Sequence, residues 1–305
     1  MRVRRRVVTL VGIAVFAAFL WVLVTTTWLW RNQERVVFQP PDLVVSAPAR
    51  ARRVDFRAAD GRPVYGYLLE PSRPRAHDDA VVIAFHGNAD LAAWYVPWAS
   101  EVAERARVRV LVPEYRGYGG IPGPPTYESA AADAVGALSY ARTELHTNSI
   151  VLFGHSLGSA IAAEVAVSMR PDRPHALILQ SPLTSARDMA TRMLVPPIPW
   201  LWQRISRVHY DTRRIVAELD VPVWVAHGAR DVVIPARMGR QVYAAARRPA
   251  ELLLVEGAGH NDVADVAGED YWRWLTSAIG TAADTTDQRR SENSKKKATG
   301  TFQDS

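Results

Sequence analysis

The sequence contains no cysteine. That excludes disulfides, thiolate metal sites, a cysteine nucleophile and a cysteine-borne lipid. Lysine is almost as scarce: all three residues are consecutive, Lys295–Lys297, near the C-terminus. The body of the chain also lacks any surplus of one charge. The formal net charge is +6 over 305 residues, which taken alone suggests nucleic acid or an anionic surface. Four of those charges are Arg2, Arg4, Arg5 and Arg6, and residues 36–280 carry 26 Arg against 26 Asp plus Glu. The rest belongs to Arg31, Glu34 and Arg35 and to the tail. A balanced body argues against nucleic-acid binding. At 48% hydrophobic residues the composition is that of a globular protein, long enough for one large domain or two small ones.

One long stretch has no charge at all, Val7 to Trp30. As a helix its 24 residues would extend roughly 36 Å at about 1.5 Å each. A bilayer core of about 30 Å needs some 20 apolar residues. Trp21, Trp28 and Trp30 lie toward one end, as interfacial aromatics do. The arginines before the stretch put the N-terminus in the cytoplasm by the positive-inside rule. A cleaved signal peptide and a buried helix are the alternatives. Signal cores are shorter and end in small residues, whereas this one ends in Trp28-Leu29-Trp30, and the nearby A-x-A, Ala47-Pro48-Ala49, is distant and contains proline.

Downstream, short β-rich runs alternate with helical patterns. Strands are predicted at Val54–Arg57, Val64–Glu70, Ala80–Phe85, Arg109–Pro113, Ser149–Phe153, Ala176–Gln180, Pro222–Ala226 and Glu251–Val255. Most from Ala80 onward are continuously apolar, which suits strands covered on both faces. Helices are predicted at Leu91–Arg107, Glu128–Glu144, Ser156–Met169, Arg237–Arg247 and Asp265–Ile279. This alternation implies an α/β fold with a mostly parallel sheet. The first two runs suit an antiparallel hairpin turned near Asp60-Gly61.

Gly154-His155-Ser156-Leu157-Gly158 is a G-x-S-x-G sequence. A predicted strand enters it and a predicted helix leaves it. A serine on so tight a turn needs small residues two positions either side. Its hydroxyl needs a base to become a nucleophile, and in this arrangement an acid and then a histidine follow along the chain. Asp231 follows the strand ending near Ala226, and His260 follows the strand ending near Val255. Ser156 is therefore assigned as nucleophile, His260 as base and acid, and Asp231 as the group orienting the imidazole. Among the rivals, His155 is expected to point elsewhere as part of the turn and His227 to be structural. His77, His146, His175 and His209 stand outside any motif, and Asp262 and Glu256 are alternative acids. An oxyanion needs two backbone donors. One is assigned to Leu157. The other is assigned to Asn88 in His86-Gly87-Asn88, where Gly87 permits close approach. No metal or cofactor is implied, since no His/carboxylate pair has HExxH spacing.

Six segments, HGNAD at 86–90, EYRGYG at 114–119, GHSLGS at 154–159, SPLTSARDMA at 181–190, HGARDVVIP at 227–235 and GAGHND at 257–262, together resemble the α/β-hydrolase superfamily. More narrowly they are similar to its serine-aminopeptidase-like branch, which includes small membrane-associated hydrolases and depalmitoylating enzymes. Glu114, where relatives more often carry Asp, and the Pro/Gly-rich GIPGPP loop after Gly119 depart from the pattern. The resemblance implies an eight-stranded sheet with a small helical lid over the nucleophile, here about 183–220. That segment carries Met189, Met193, Leu194, Ile198, Trp200, Leu201 and Trp202. These side chains would line an acyl pocket, complete the core or rest on a membrane.

The expected organisation is a basic cytoplasmic N-terminus (1–6), a transmembrane signal-anchor (7–30), a linker (31–52), a hydrolase domain outside the cytoplasm (53–280) and a disordered polar tail (281–305). The expected partners are an acylated or other small-molecule substrate and the lipid bilayer through residues 7–30. Esters or thioesters are the expected substrates, with an amidase or peptidase, or a catalytically silent binding protein, as alternatives.

Overall fold

The computed structural model describes residues 2–46, 48–74, 80–169 and 173–280. The tail 281–305, His77 and Ala47 lie outside the described residues. Eight strands form one sheet: β1 (Arg52–Arg57), β2 (Pro63–Leu69), β3 (Val81–Phe85), β4 (Arg109–Pro113), β5 (Ile150–His155), β6 (Ala176–Gln180), β7 (Val223–Gly228) and β8 (Pro249–Val255). Their spatial order is β1-β2-β4-β3-β5-β6-β7-β8. β1 and β2 form the predicted antiparallel hairpin, β2 pairs antiparallel with β4, and all other neighbours are parallel.

The apolar runs dictate two cores, because successive strand residues face opposite sides. Val81, Ile83 and Phe85 pack with α3 (Tyr127–Thr143), α4 (Leu157–Ser168) and α8 (Ala236–Ala245). Val82 and Ala84 face the other side, against α2 (Ala92–Ala106) and the C-terminal helix α10 (269–280). The last predicted helix is divided. α9 (Val263–Ala267) stops at Gly268, whose φ of 54° is left-handed, and α10 resumes beyond it.

The N-terminal helix α1 runs from Arg2 to Val37, about 54 Å at 1.5 Å per residue. Its most apolar 18-residue window has a mean hydropathy of 2.8, so it is a candidate membrane span. The helix continues seven residues beyond Trp30, through positions the sequence assigns to a linker. The reason is a second packing surface. Between β6 and β7 lie α5 (Ala186–Met193), α6 (Ile198–Ile205) and α7 (Thr212–Glu218). Leu29 of α1 is buried in a cluster with Ala190, Ile198 and Trp202, and Val36 and Leu194 pack beside it. Gln33, fully buried, accepts from the Arg207 N–H (2.7 Å) and the Ser206 hydroxyl (3.3 Å). Phe38 then enters the main core.

At the turn from β5 into α4, backbone meets backbone. A Cβ at Gly158 would stand 2.1 Å from the Phe85 carbonyl oxygen, and one at Gly154 2.2 Å from the Gly158 carbonyl. Neither neighbour can yield without moving the end of β3 or the first turn of α4. Gly158→Ala is expected to cost about 2–3 kcal/mol, lowering the midpoint of thermal unfolding by roughly 6–10 °C. Thermal denaturation of the detergent-solubilised chain measures this, and an unchanged midpoint would contradict the packing described.

Candidate active site

Ser156 occupies the sharp turn between β5 and α4 with φ 54° and ψ −119°. Such backbone costs about 1–3 kcal/mol and is held by the two close glycine approaches. The Ser156 N–H donates to the Gln180 carbonyl at 3.0 Å. Its Oγ lies 2.9 Å from His260 Nε2, and His260 Nδ1 lies 2.7 Å from Asp231 Oδ2. The three sequence-assigned residues thus form one unbroken hydrogen-bond chain. They come from the carboxyl ends of β5, β7 and β8, where parallel α/β sheets converge their loops.

Asp231 accepts three hydrogen bonds: besides that from His260, its Oδ1 takes the N–H groups of Val233 (2.9 Å) and Ile234 (2.8 Å). The His227 Nε2–H points at the Ile234 carbonyl (2.8 Å) and is shared with Asp231 Oδ2, 3.2 Å away. Burial alone would raise the carboxyl, but the bonds from His227 and His260 outweigh it and hold it well below the usual carboxylate range. It is anionic at neutral pH and aimed at the imidazole. His227 is structural as expected, and its task is to hold Asp231. Asp262 accepts from the Gly259 N–H instead and stays outside the chain.

His155, a residue of the cavity lining, turns its ring to Tyr95 and to the His260 backbone and stays outside the Ser156–His260–Asp231 chain. Nε2 lies 3.2 Å from the His260 carbonyl, which can only accept, so Nε2 carries the proton. Nδ1 then accepts from the Tyr95 hydroxyl at 2.7 Å. Burial, with the neighbouring His260 adding to it, pushes His155 down to about 3. The neutral ring therefore braces the backbone that carries His260, helped by the Ser181 hydroxyl on the same carbonyl at 3.2 Å. Sequence reasoning missed this because Tyr95 and His260 are remote in the chain.

The loop after β3 lies on the serine turn: a Cβ at Gly87 would stand 3.1 Å from His155 Nδ1 and 3.5 Å from Ser156 Cβ. Among the described residues, no hydrogen-bond acceptor engages the Asn88 or Leu157 N–H. The Asn88 side chain has another use. Its Oδ1 accepts from the Gln39 N–H and the Tyr118 hydroxyl, both at 2.8 Å, and its Nδ2 donates to the Val37 carbonyl at 2.7 Å. The chain leaving α1 is thereby clamped to this loop. From below, the buried His86 Nε2 meets Glu114 Oε1 at 2.9 Å, and Glu114 also accepts from Ala92 N–H and Tyr115 N–H. Burial alone would lower His86, but the Glu114 carboxylate overcomes this and raises it. The departure at Glu114 thus supplies the longer reach that ties β4 to the loop.

Ser156 and His260 open onto a cavity of about 610 Å³, lined also by Trp94, Tyr95, Trp98, Phe153, Gln39 and Val233. No residue of 183–220 lines it. Ile198 and Trp202 pack against α1 instead, and Met193 and Trp200 are exposed. Of the three readings of that apolar segment, an acyl-pocket wall is the one this geometry does not support.

A parallel-sheet hydrolase with a serine at the strand-to-helix turn is the class that fold and site define. The family model described as Serine aminopeptidase, S33 matches residues 76–215. An uncharacterized protein of Mycobacterium tuberculosis is 33% identical over 244 residues, covering 77% of this chain and 83% of that protein. The alpha/beta hydrolase domain-containing protein WAV2 of Arabidopsis thaliana is 29% identical over 266 residues, covering 79% and 85%. A Pyrococcus furiosus esterase shares the fold with a TM-score of 0.60 at 15% identity, over 80% of this chain and 97% of that one. The chain belongs to the α/β-hydrolase superfamily.

The neutral, buried His155 has a measurable consequence. An unfolded imidazole protonates near 6.5, whereas this ring does so only at about 3. Between those values the unfolded state binds one more proton, so stability falls as pH falls, by up to about 1.4 kcal/mol per pH unit. His155→Gln is expected to lose that slope between about pH 5.5 and 4. Urea titrations of both proteins across the range measure it, and equal slopes would rule out a neutral His155.

Proposed function

We propose that the chain is a membrane-anchored serine hydrolase that cleaves ester or thioester bonds of an apolar acyl substrate. The observation that carries this is the hydrogen-bond chain from Ser156 Oγ through His260 to the Asp231 carboxylate, whose first two members line a cavity with Trp94, Tyr95, Trp98 and Phe153. In the proposed reaction Ser156 Oγ attacks the acyl carbonyl while its proton passes to His260 Nε2. Asp231 stabilises the imidazolium so formed. The oxyanion is held by the N–H groups of Asn88 and Leu157, the latter at the start of α4. His260 then protonates the leaving group, and water, activated by the same imidazole, releases the acyl group and restores Ser156.

Trp94, Trp98 and Phe153 support an apolar acyl group, because burying it against them removes apolar surface from water. A second reading is an amidase acting on a free amino terminus. The Asp90 and Asp265 carboxyls on the cavity wall favour it, since either could hold an ammonium. A panel of paired ester and amide substrates sharing one acyl group separates the two. In both readings α1 anchors the chain, with Arg2–Arg6 in the cytoplasm and the catalytic domain on the other side.

Labelling by a fluorophosphonate probe tests the nucleophile. The wild type is expected to label and Ser156→Ala to remain unlabelled, with kcat lower by about 10³-fold or more. Equal labelling of both would overturn the assignment. A periplasmic-type reporter fused after Ile279 tests orientation: it is expected to be active only outside the cytoplasm, and cytoplasmic activity would reverse the topology.

A further inference from the structure

The segment 186–207 is apolar, basic and rigidly joined to α1, yet contributes nothing to the cavity wall. Met193, Val195 and Trp200 are 67%, 57% and 56% exposed. Around them stand Arg187, Arg192, Arg204 and Arg207, against Asp188 as the only acid of that stretch. The Arg204 guanidinium lies over the Trp200 ring at 4.3 Å. Exposed apolar side chains between cationic heads match the boundary between acyl chains and anionic headgroups.

Depth follows from packing. Leu29 of α1 is buried against Ile198 and Trp202 of α6, and Val22, Thr25 and Thr26, one to two turns earlier, are half-buried on the same stripe of the helix. These positions lie inside the uncharged stretch 7–30. Whatever plane that stretch occupies, α6 lies beside its outer end. The Arg207–Glu34 pair (3.4 Å) and the buried Gln33 fix the contact just beyond.

The same surface reaches the cavity. The Arg192 guanidinium donates to the Val232 carbonyl at 3.0 Å. Val232 is 81% exposed, and the adjacent Val233 lines the cavity. Gln39, two residues past the end of α1, lines it too. From Trp30 to Val37 the helix rises about 10 Å, against about 5–8 Å for one headgroup layer, so Gln39 stands close to the outer margin of that layer.

We infer that α5, α6 and the turn between them are seated in the outer surface of the bilayer that α1 crosses, so that the Ser156 cavity opens at headgroup level and takes its acyl group from a substrate held in that bilayer. This rests on the serine-hydrolase reading above and adds the source of the substrate. The occupant of the exposed apolar face is lipid, by continuity with the spanning helix and by the net positive charge of the segment.

The absence of native cysteine makes the test direct. Val195→Cys carries an environment-sensitive fluorophore in the full chain, reconstituted in vesicles of phosphatidylcholine and phosphatidylglycerol. The control is Thr143→Cys, at the end of α3. Blue-shifted emission and quenching by lipids spin-labelled near the headgroup are expected at 195 and not at 143. Absent or equal quenching overturns the inference, as does protection at 195 in detergent that grows with protein concentration, which would mark a second copy as the occupant. In parallel, Val195→Asp/Trp200→Asp is expected to hydrolyse p-nitrophenyl butyrate in solution at the wild-type rate. It should lose roughly tenfold or more on a long-chain acyl ester carried in the vesicles. Equal effects on both substrates overturn the membrane seat. A wild type inactive on every substrate, and unlabelled by the fluorophosphonate, overturns the hydrolase reading instead.

Discussion

The site depends on how closely β5, α4 and the end of β3 approach one another. Gly158 sits against the carbonyls of Phe85 and His86, and Gly154 against Gly158. Only hydrogen fits at either position. That contact holds Ser156 in its left-handed φ at the start of α4. It also brings Gly87, and hence Asn88, onto the serine turn. The strain of about 1–3 kcal/mol at one residue is small beside the apolar burial on both faces of the sheet. The turn therefore cannot relax without opening the core that surrounds it.

Around that turn the polar groups are held in layers. His260 is oriented by Asp231, Asp231 by His227 and two backbone N–H groups, and the His260 carbonyl by His155 and Ser181. His86 and Glu114 do the same beneath the loop of Gly87 and Asn88. His260, His155 and His86 each meet a partner on another segment, so misplacing one strands a second without a hydrogen bond, at about 1–3 kcal/mol. Such a network fixes the geometry before any substrate arrives, which is what electrostatic stabilisation of a transition state requires.

How much of this the sequence disclosed follows from the range of each interaction. The strands were legible because two-sided burial writes itself as an unbroken apolar run, as in Val81–Phe85. Ser156, Asp231 and His260 were legible because chain order and strand ends constrain them together. The bracing by His155 was not, since its partners Tyr95 and the His260 carbonyl lie 60 and 105 residues away. Apolar residues such as Ile198 and Trp202 read the same whether they face a cavity, a core or another helix. The continuation of α1 was hidden by Gln33 and Glu34, polar residues that suit a linker until Ser206 and Arg207 appear opposite them.

The last point changes what the anchor does in the proposed reading. A flexible linker would let the domain sample many heights and orientations above a membrane. Here α1 is continuous to Val37, Phe38 is in the core, and Asn88 grips the backbone on either side of it. The helix and the loop of Gly87 and Asn88 are thus parts of one packed body. An anchored enzyme built this way does not search for substrate in three dimensions; its nucleophile stays at one level relative to the bilayer. Selection by depth then precedes selection by shape, which suits an open cavity with a general aromatic wall. It also accounts for a body without surplus charge: a domain already held at its substrate layer gains little from long-range electrostatic steering, and its arginines are left for local contacts such as Arg116 with Asp133 and Arg207 with Glu34.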